Sequence, residues 1–320
     1  MDYSLSSKDA CRIYFFPMDV IYSLSQLKQY PLPAVAIGVF DGLHRAHRRI
    51  IRYALKRSRA TGGTALVVTF YPHPRGKESI YSLEHRLKLI EELGVDACLV
   101  IRFTRNFSLL RAGHFLEKII IQKIHAESVC VGEDFRFGRN AEGDVSLLRA
   151  YSRQGYYRLK VFDVIKARGR AVSSTFIRSL ILTGKLSQAK RLLVHPVSVF
   201  GRVVRGEGVA TRLGFPTANV SPHHEIVPPA GIYAVKIIRK GAVLRGVCYI
   251  GRKPTFKRRT GSSLHIEVHI FGFSRDIYGE YLEIQFIKKI RNDKKFSSPQ
   301  ALGLQISRDI AQVKAFFTRH

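Results

Sequence analysis

The chain has 320 residues, and its 53 Lys plus Arg against 24 Asp plus Glu give a formal net charge of +29. A hydrophobic content of 46% with 24% charged residues is typical of a globular protein and excludes a disordered chain. No run reaches the roughly 18 apolar residues of a membrane-spanning helix, and the first 24 residues lack the apolar core of a signal peptide.

The first half of the chain alternates apolar runs with amphipathic stretches. Four apolar runs predict buried strands: Val35–Phe40, Thr64–Phe70, Cys98–Phe103 and Ser128–Val131. The stretches between them predict helices: Ala46–Ser58, Leu83–Leu93 and Gly113–Ile124. Strands that alternate with helices of this length predict a doubly wound parallel sheet.

The second half reads differently, because strand-like runs follow one another with glycine and proline between them. They are Val197–Arg205, Ile232–Ile238, Val243–Ile250, Leu264–Phe271 and Tyr281–Lys288, with a closing helix at Pro299–Phe317. This order predicts a small antiparallel barrel with a terminal helix. Residues 174–193 read as helical, so we predict two domains, 1–188 and 189–320.

The four cysteines are far apart, form no CxxC pair, and three of them lie in apolar runs. They are Cys11, Cys98, Cys130 and Cys248. This usage predicts reduced core thiols in a cytoplasmic protein. The charge indicates a polyanionic partner, either nucleic acid or phosphorylated small molecules, or a general compositional bias toward Arg and Lys.

A glycine-containing turn with two histidines follows the first predicted strand, from Gly38 to His47 (GVFDGLHRAH). The turn opens a helix, whose N-terminal N–H groups attract phosphate at the carboxyl edge of a parallel sheet. His44 and His47 are three residues apart and share one helix face, where they suit the stabilisation of charge on a phosphate. A metal pair or a solvated pair are the alternatives for an isolated HxxH.

Together with three later segments, this turn resembles the motifs of bacterial bifunctional riboflavin kinases/FMN adenylyltransferases (FAD synthetases). Residues 38–47 resemble GxFDGxHxGH, residues 69–74 (TFYPHP) resemble TFxPHP, residues 131–138 (VGEDFRFG) resemble VGxDFRFG, and residues 173–178 (SSTFIR) resemble SSTRIR. The resemblance implies a Rossmann-like nucleotidyltransferase domain in which the FMN phosphate attacks the α-phosphorus of ATP.

The resemblance also implies roles for single residues in that reaction. His44 and His47 would stabilise the pentacovalent phosphate, and Arg178 would neutralise the leaving pyrophosphate. The nucleotide phosphates would contact Gly38, Phe40, Asp41, Gly42, Ser173, Ser174 and Thr175. The flavin would lie near Asp134, Phe135 and Phe137. A plain helix N-cap for the serine segment and simple loop packing for the phenylalanines are the alternatives.

The second half contains no GxxxxGK[ST] motif, which disfavours a P-loop kinase. It contains GRVVRGEG at 201–208 and LGFPTAN at 213–219, where Thr217 and Asn219 offer oxygen ligands to a hard cation such as Mg²⁺. A structural loop is the alternative. The order resembles the loop GxVxxGxGxGxxxGFPTAN of riboflavin kinases, which implies phosphate contacts at Gly206, Gly208, Gly214 and Pro216.

One strand of the second half carries a candidate base. Along Leu264–Phe271 apolar and polar residues alternate, which places Glu267 on the polar face, where a solvated carboxylate is the alternative. Residues 246–251 (GVCYIG), 253–256 (KPTF) and 278–279 (YG) resemble the surroundings of the riboflavin kinase catalytic glutamate. On that resemblance Glu267 accepts the ribityl 5′-hydroxyl proton, and Arg291 and Asp293 border the flavin.

Several positions depart from the family motifs. Ala46 replaces a glycine between the histidines, and Phe176 replaces an arginine of SSTRIR. Ala210 replaces a glycine of the kinase loop, and Tyr249 stands where asparagine is usual. Each change puts the corresponding activity in question, the adenylyltransferase more than the kinase.

A basic helix face leaves a third possibility open. Cationic residues at helical spacing predict one charged face: Arg45, Arg49, Arg52, Lys56 and Arg59. We expect a solvated face here, because no known nucleic-acid-binding motif accompanies it. The leading hypothesis is an enzyme that makes FMN and FAD from riboflavin and ATP with Mg²⁺. The alternatives are a kinase with weak adenylyltransferase activity and a basic nucleic-acid-binding protein.

Overall fold

The computed structural model describes residues 18–76, 78–167, 169–223, 225–253 and 263–319. These residues form two compact units. The first contains the described residues up to Ser79 together with Leu83–Ser174, and the second contains Ile80–Ser82 and the described residues from Thr175 onward. The predicted division at residue 188 stays a prediction.

A parallel sheet forms the centre of the first unit. Its strands are β1 (Asp19–Ile21), β2 (Ala34–Ile37), β3 (Ala65–Tyr71), β4 (Ala97–Arg102), β5 (Ser128–Gly132) and β6 (Arg158–Phe162). They run in the order β1-β4-β3-β2-β5-β6, and every neighbouring pair is parallel. The chain moves outward from β2 to β3 and β4 and then crosses to β5, so the switch point of the topology lies between β2 and β5. Ligands of open α/β sheets bind at the carboxyl ends of the strands at such a point.

Helices of the first unit connect these strands. They are α1 (Arg45–Thr61), α2 (Leu83–Glu91), α3 (Arg105–Ser108), α4 (Ala112–His114) with a π-helical continuation (Phe115–Ile121), a 3₁₀ turn (Arg139–Ala141) and α5 (Val145–Arg153). Two short strands, β7 (Lys166–Ala167) and β8 (Arg170–Ala171), pair with each other. The α-helix predicted at Gly113–Ile124 is therefore largely a π-helix, a difference that hydrophobic spacing does not reveal.

The amphipathic helix α1 packs on the sheet as its pattern predicts. Ile50, Ile51 and Ala54 are buried on one side. All five cationic residues of the predicted charged face are exposed: Arg45, Arg49, Arg52, Lys56 and Arg59. The helix ends at Thr61 and is capped by Gly62, whose φ of 63° is the left-handed conformation that glycine adopts without strain.

A closed antiparallel barrel dominates the second unit. Its strands are β9 (Ser198–Val204), β10 (Ala218–Pro222), β11 (Gly231–Arg239), β12 (Ala242–Lys253), β13 (Ser263–Ile270) and β14 (Tyr281–Asn292). They close in the order β10-β13-β12-β11-β14-β9, with β9 paired to β10. The helices are α6 (Ser174–Leu182), α7 (Leu186–Leu193), α8 (Val209–Arg212) and α9 (Pro299–Arg319).

The terminal helix α9 supplies part of the core of this unit. Its Val313 and Phe317 pack in one cluster with Ile232 and Ala234 of β11 and Val247 of β12. The predicted fold class, a doubly wound parallel sheet plus a small barrel with a terminal helix, is confirmed. The helical stretch predicted at 174–193 is two helices, with a break at Gly184, which has a φ of 73°.

Two further expectations have structural outcomes. Cys98, Cys130 and Cys248 are buried and free of disulfides, as core thiols should be, and Cys11 lies outside the described residues. Burial raises the pKa of the Cys98 and Cys130 thiols to about 12, which keeps them protonated and unreactive. In the described part of the chain, no helix has the length and apolar character needed to cross a bilayer.

Candidate active sites

The turn between β2 and α1 has a strained backbone. Phe40 has a φ of 51° and Leu43 a φ of 39°, in a region that residues other than glycine avoid, while Gly42 has a φ of 81°. Gly38 lies under the Phe40 ring, and a Cβ on Gly38 would come within 3.0 Å of it. Each strained residue costs on the order of 1–3 kcal/mol, so the surrounding structure must hold this turn in place.

Three side chains hold the turn through its carbonyl groups. The Val39 carbonyl accepts hydrogen bonds from Thr69 Oγ1 at 2.9 Å and Arg86 Nη1 at 2.7 Å. The Asp41 carbonyl accepts one from Ser174 Oγ at 2.7 Å. Thr69 belongs to the family-like motif at residues 69–74 and Ser174 to the one at 173–178. These two motifs therefore hold the motif at residues 38–47 in place through hydrogen bonds.

The histidine pair lies directly after the turn, with His44 at the N-cap of α1. The two imidazoles stack with 3.6 Å between centroids and 21° between planes, and Phe40 contacts His47 edge-on at 5.4 Å. His44 is only 3% exposed, whereas His47 is partly exposed. Nδ1 of each ring is buried and has no hydrogen-bond partner among the described residues.

Burial determines the charge state of the pair. It lowers the pKa of His44 to about 4. The pKa of His47 also lies well below its usual value, mainly through burial and further through its neighbours His44 and the cationic Arg86. Both imidazoles are therefore neutral at pH 7 and can donate hydrogen bonds without adding charge. The side chain of His44, the N-cap residue, makes no capping hydrogen bond, and the first N–H groups of a helix attract anions.

The predicted flavin loop follows β5, beside β2 at the switch point. Phe135 and Phe137 stack with 5.3 Å between centroids and 18° between planes. Phe137 is buried and also contacts Phe115, whereas Phe135 is partly exposed. Asp134 is exposed, with Oδ1 2.9 Å from where a Cβ on Gly132 would lie. The loop thus presents an aromatic surface of the kind on which a planar ring system packs.

The serine segment and helix α6 carry the remaining phosphate candidates of the first site. Ser173 and Ser174 are partly exposed, Thr175 is exposed, and Arg178 is partly exposed on α6. The Ser174 hydroxyl is engaged with the Asp41 carbonyl, so it shapes the turn whether or not it also contacts phosphate. Phosphate contacts by this segment stay a prediction.

The barrel brings three polar side chains into one cross-strand row. Glu267 of β13 lies opposite Asn219 of β10 on one side and opposite Tyr249 of β12 on the other. Directly opposed residues have Cβ atoms roughly 4.5–5.5 Å apart, so Asn219 and Glu267 can act on one ligand. The predicted alternation is confirmed, since Ile266, Val268 and Ile270 are buried while His265, Glu267 and His269 are partly exposed.

The glycine-rich loop packs against Asn219. A Cβ on Gly206 would lie 2.0 Å from Asn219 Nδ2, so glycine is required there. Gly208 and Gly214 have φ of 66° and 88°, which bends the loop around the short helix α8. The Pro216 carbonyl contacts His269 Nδ1 at 2.8 Å, which ties the segment carrying Thr217 to β13. The hydroxyl of Thr217 and the amide oxygen of Asn219 are hard oxygen donors, which fit Mg²⁺.

Arg291 and Asp293, predicted to border the flavin, make firm contacts with protein groups. Arg291 Nε and Nη2 bind the buried Asp309 carboxylate of α9 at 2.9 and 2.7 Å, and the guanidinium lies 5.8 Å from the Phe296 ring centroid. Asp293 Oδ2 accepts a hydrogen bond from Tyr249 at 3.3 Å. Burial and then Asp293 raise the pKa of Tyr249 to about 12. Contacts of Arg291 and Asp293 with flavin stay predictions.

Sequence reasoning missed Arg86 and the tethering role of His269. Arg86 is 2% exposed in α2 and donates to carbonyls of both Val39 and Phe70. Within an amphipathic helix such an arginine looks like a solvent-facing residue; its spacing, three residues after Leu83 and four before Ile90 on the apolar face, was the available signal. Residues 254–256 of the family-like KPTF segment lie outside the described residues.

The first unit has a strained turn and a histidine pair at the switch point of its sheet, and the second has an acid opposite an amide on its barrel. Such arrangements are compatible with enzymes that transfer groups from nucleotides. Family models agree with this class for each unit. An FAD synthetase model matches residues 28–176, and a riboflavin kinase model matches residues 193–317.

Whole-chain comparisons are more specific. A bifunctional riboflavin kinase/FMN adenylyltransferase of Escherichia coli (strain K12) is 33% identical, with 94% of this chain and 98% of that protein covered. The protein of the same description from Buchnera aphidicola subsp. Schizaphis graminum is 35% identical, with 89% and 94% covered. This chain belongs to the bifunctional riboflavin kinase/FMN adenylyltransferase family.

A solved structure also resembles this chain over most of its length. It is described as a macrolide-efflux protein from Streptococcus pneumoniae, has a TM-score of 0.77 and is 27% identical. The match covers 91% of this chain and 97% of that one.

Proposed function

We propose that the chain carries out both reactions of its family. It phosphorylates riboflavin with ATP to FMN and then adenylylates FMN with a second ATP, which gives FAD and pyrophosphate. The observation that carries this proposal is that each matched domain brings its candidate reacting groups together: the stacked histidines directly after the strained turn, and Glu267 directly opposite Asn219.

In the proposed adenylyl transfer, a phosphate oxygen of FMN attacks the α-phosphorus of ATP, and the bond to pyrophosphate breaks. The neutral imidazoles of His44 and His47 donate hydrogen bonds to the phosphate as charge develops on it, together with the N–H groups that open α1. Gly38, Phe40, Asp41 and Gly42 give the turn its shape. Ser173, Ser174 and Thr175 contact the phosphates, and Arg178 offsets the charge of pyrophosphate.

In the proposed kinase reaction, the ribityl 5′-hydroxyl attacks the γ-phosphorus of ATP while Glu267 accepts its proton, and ADP leaves. Mg²⁺, when bound, supplies positive charge to the phosphates. Thr217 and Asn219 would hold that ion, and Gly206, Gly208, Gly214 and Pro216 bring backbone close to the nucleotide. The partly exposed position of Glu267 keeps it accessible to the substrate hydroxyl.

Flavin binding is proposed separately for each domain. In the first, the Phe135–Phe137 stack receives the isoalloxazine ring and Asp134 contacts its polar edge. In the second, the Arg291–Asp309 pair and the Tyr249–Asp293 hydrogen bond form one border of the riboflavin site. We also propose a cytoplasmic location, supported by three buried free thiols.

A product assay tests both activities at once. Purified protein is incubated with riboflavin, ATP and Mg²⁺, and FMN and FAD are separated by chromatography. His47→Ala is expected to abolish FAD formation while FMN accumulates. Glu267→Gln is expected to abolish FMN formation from riboflavin but to leave FAD formation from supplied FMN.

The alternatives give different products. Accumulation of FMN without FAD in the wild-type protein would favour a kinase that has lost its second activity, the outcome that Ala46 and Phe176 raise. Neither product from the wild-type protein would overturn the proposal. Binding of RNA or DNA with a steep salt dependence would then favour the nucleic-acid alternative.

A further inference from the structure

A buried arginine, Arg86, binds the turn between β2 and α1. Arg86 lies on α2 and is 2% exposed, and its guanidinium joins the carboxyl ends of two strands. Nη1 donates to the Val39 carbonyl, two residues after β2, at 2.7 Å, and Nη2 donates to the Phe70 carbonyl of β3 at 3.1 Å. Its Nε has no hydrogen-bond partner among the described residues.

Both carbonyl partners are neutral, so fixing the two strand ends in this way costs the free energy of burying the Arg86 charge. Removing an ion from water costs several kcal/mol, and neutral acceptors offset less of that cost than a paired carboxylate does. Burial accordingly lowers the pKa of Arg86, while the nearby carboxylates of Asp41 and Glu84 act in the opposite direction. If this position only required packing, an apolar side chain of similar length would fill it without burying a charge.

The Arg86 guanidinium lies where its hydrogen bonds can hold the turn and its charge can act on the histidine pair. Val39 lies within the turn whose Phe40 and Leu43 have positive φ, so its carbonyl needs firm anchoring. The only other side chain that donates to this carbonyl among the described residues is Thr69, a neutral hydroxyl. The positive charge of Arg86 also acts on His47, whose ring stacks on His44.

We propose that Arg86 is a positioning residue for adenylyl transfer, which holds the turn Gly38–Leu43, and through it the stacked His44 and His47, in the geometry that receives the nucleotide phosphates. This inference rests on the proposed adenylyltransferase function. Arg86 acts through the turn and does not itself contact substrate.

Two variants separate the effect of the hydrogen-bond donors of Arg86 from the effect of its charge. Arg86→Lys keeps the charge but loses the planar fork that reaches two carbonyls, and Arg86→Met removes both at similar length. The matched control is Arg57→Met, which removes a side chain bonded to Glu127, about 20 Å along α1 from His44. Rates are normalised to folded protein, which is measured by thermal unfolding of each variant, and the riboflavin kinase rate of the same sample checks the amount of intact second unit.

The expected result is a loss in kcat with a smaller change in KM for ATP, because misplaced groups lose more in the transition state than in binding. We expect FAD formation from FMN to fall about 100-fold in Arg86→Met and about tenfold in Arg86→Lys. Arg57→Met should stay within twofold of wild type. If Arg86→Met does not fold, Arg86→Lys decides the question.

An activity-independent measurement separates this inference from the proposed function. In imidazole NMR spectra of the unliganded protein, the stacked His44 and His47 rings should shift one another's signals upfield, and the shift should shrink in both Arg86 variants but not in Arg57→Met. If the wild type made no FAD but the stack responded to Arg86, the proposed function would fail, whereas the role of Arg86 in holding the turn and the histidine stack would stand. Unchanged normalised kcat and unchanged histidine signals in Arg86→Lys and Arg86→Met would overturn the inference.

Discussion

The two candidate sites are built in opposite ways. In the sheet unit, the candidate phosphate-binding groups are two neutral histidines, His44 buried and His47 partly exposed, directly after a turn with strained φ angles that is held by hydrogen bonds to its carbonyls. In the barrel unit, Asn219, Glu267 and Tyr249 are partly exposed and aligned by strand register. The first site therefore depends on the stability of its surroundings, whereas the second depends mainly on an ordinary barrel backbone.

This difference has an experimental meaning. Changes at the first site should alter stability and activity together, and changes in the barrel row should alter activity with little effect on stability. The following predictions test that distinction, in order of decreasing effect.

The largest effect is expected away from the barrel row, at the buried ion pair of the second unit. Asp309→Ala leaves the Arg291 guanidinium without the carboxylate that it binds at 2.7 Å. Removing one partner of a buried pair costs roughly 3–5 kcal/mol, which urea denaturation of the second unit should detect. Asp276→Ala, at an exposed carboxylate of the same unit, is the control and should change the free energy of unfolding by less than about 1 kcal/mol. A loss below about 1 kcal/mol in Asp309→Ala would contradict the prediction.

The second prediction concerns acid stability of the first unit. The folded-state pKa of His44 is about 4, below the unfolded value of about 6.5, so the unfolded chain binds more protons between these pH values. The free energy of unfolding should fall by about 3 kcal/mol through this group as the pH drops from 7 to 4. His44→Asn should flatten this acid branch, whereas His114→Asn, at an exposed histidine, should leave it as in the wild type. Equal pH slopes for wild type and His44→Asn would show that His44 is not held neutral by burial.

The third prediction tests the metal-ligand role of the barrel row. Asn219→Ala removes an amide oxygen without disturbing the ladder of β10, so FMN formation should need at least tenfold more Mg²⁺. Ser221→Ala, at an exposed residue of the same strand, should leave the Mg²⁺ titration unchanged. FAD formation from supplied FMN should be unaffected in both variants. An unchanged Mg²⁺ requirement in Asn219→Ala would remove Asn219 from the proposed ligands.

The smallest effect is expected at Tyr249. Tyr249→Phe deletes a hydroxyl that donates to the exposed Asp293 at 3.3 Å, a long hydrogen bond near solvent. Thermal unfolding should show a loss of no more than about 1 kcal/mol. A loss above about 2 kcal/mol would mean that the row contributes to barrel stability after all, and the contrast between the two sites would weaken.

Much of the fold follows from hydrophobic patterning, because both sheet types carry their characteristic periods in this sequence. The hydrophobic pattern did not predict strands β6 and β10, for reasons specific to each. In β6 the charged Arg158 and Lys160 interrupt a short run, and β10 lies inside the glycine-rich segment and ends at Pro222. Both strands gain their place from pairing with neighbours distant in sequence, which local pattern does not contain.

The candidate sites were predictable to a different extent. The resemblance to the family motifs indicated the histidine pair, Asn219 and Glu267, since each motif is short and local. It did not indicate the three side chains that bind the carbonyl groups of the turn, because Thr69, Arg86 and Ser174 come from three segments that meet only in the folded sheet unit. It also did not indicate that Arg291 is engaged with Asp309, which depends on how α9 packs on the barrel.

The open edge of the parallel sheet has a consequence for how the protein behaves in concentrated solution. The barrel is closed, so its strands offer no free backbone edge, but β6 pairs only with β5 in the described sheet. Unpaired edges recruit strands of other molecules, and lysine or arginine on such an edge resists that association. Arg158 and Lys160 are both exposed on β6. Part of the positive charge of the chain thus lies where it keeps one copy from pairing with the next, a use that requires no substrate at all.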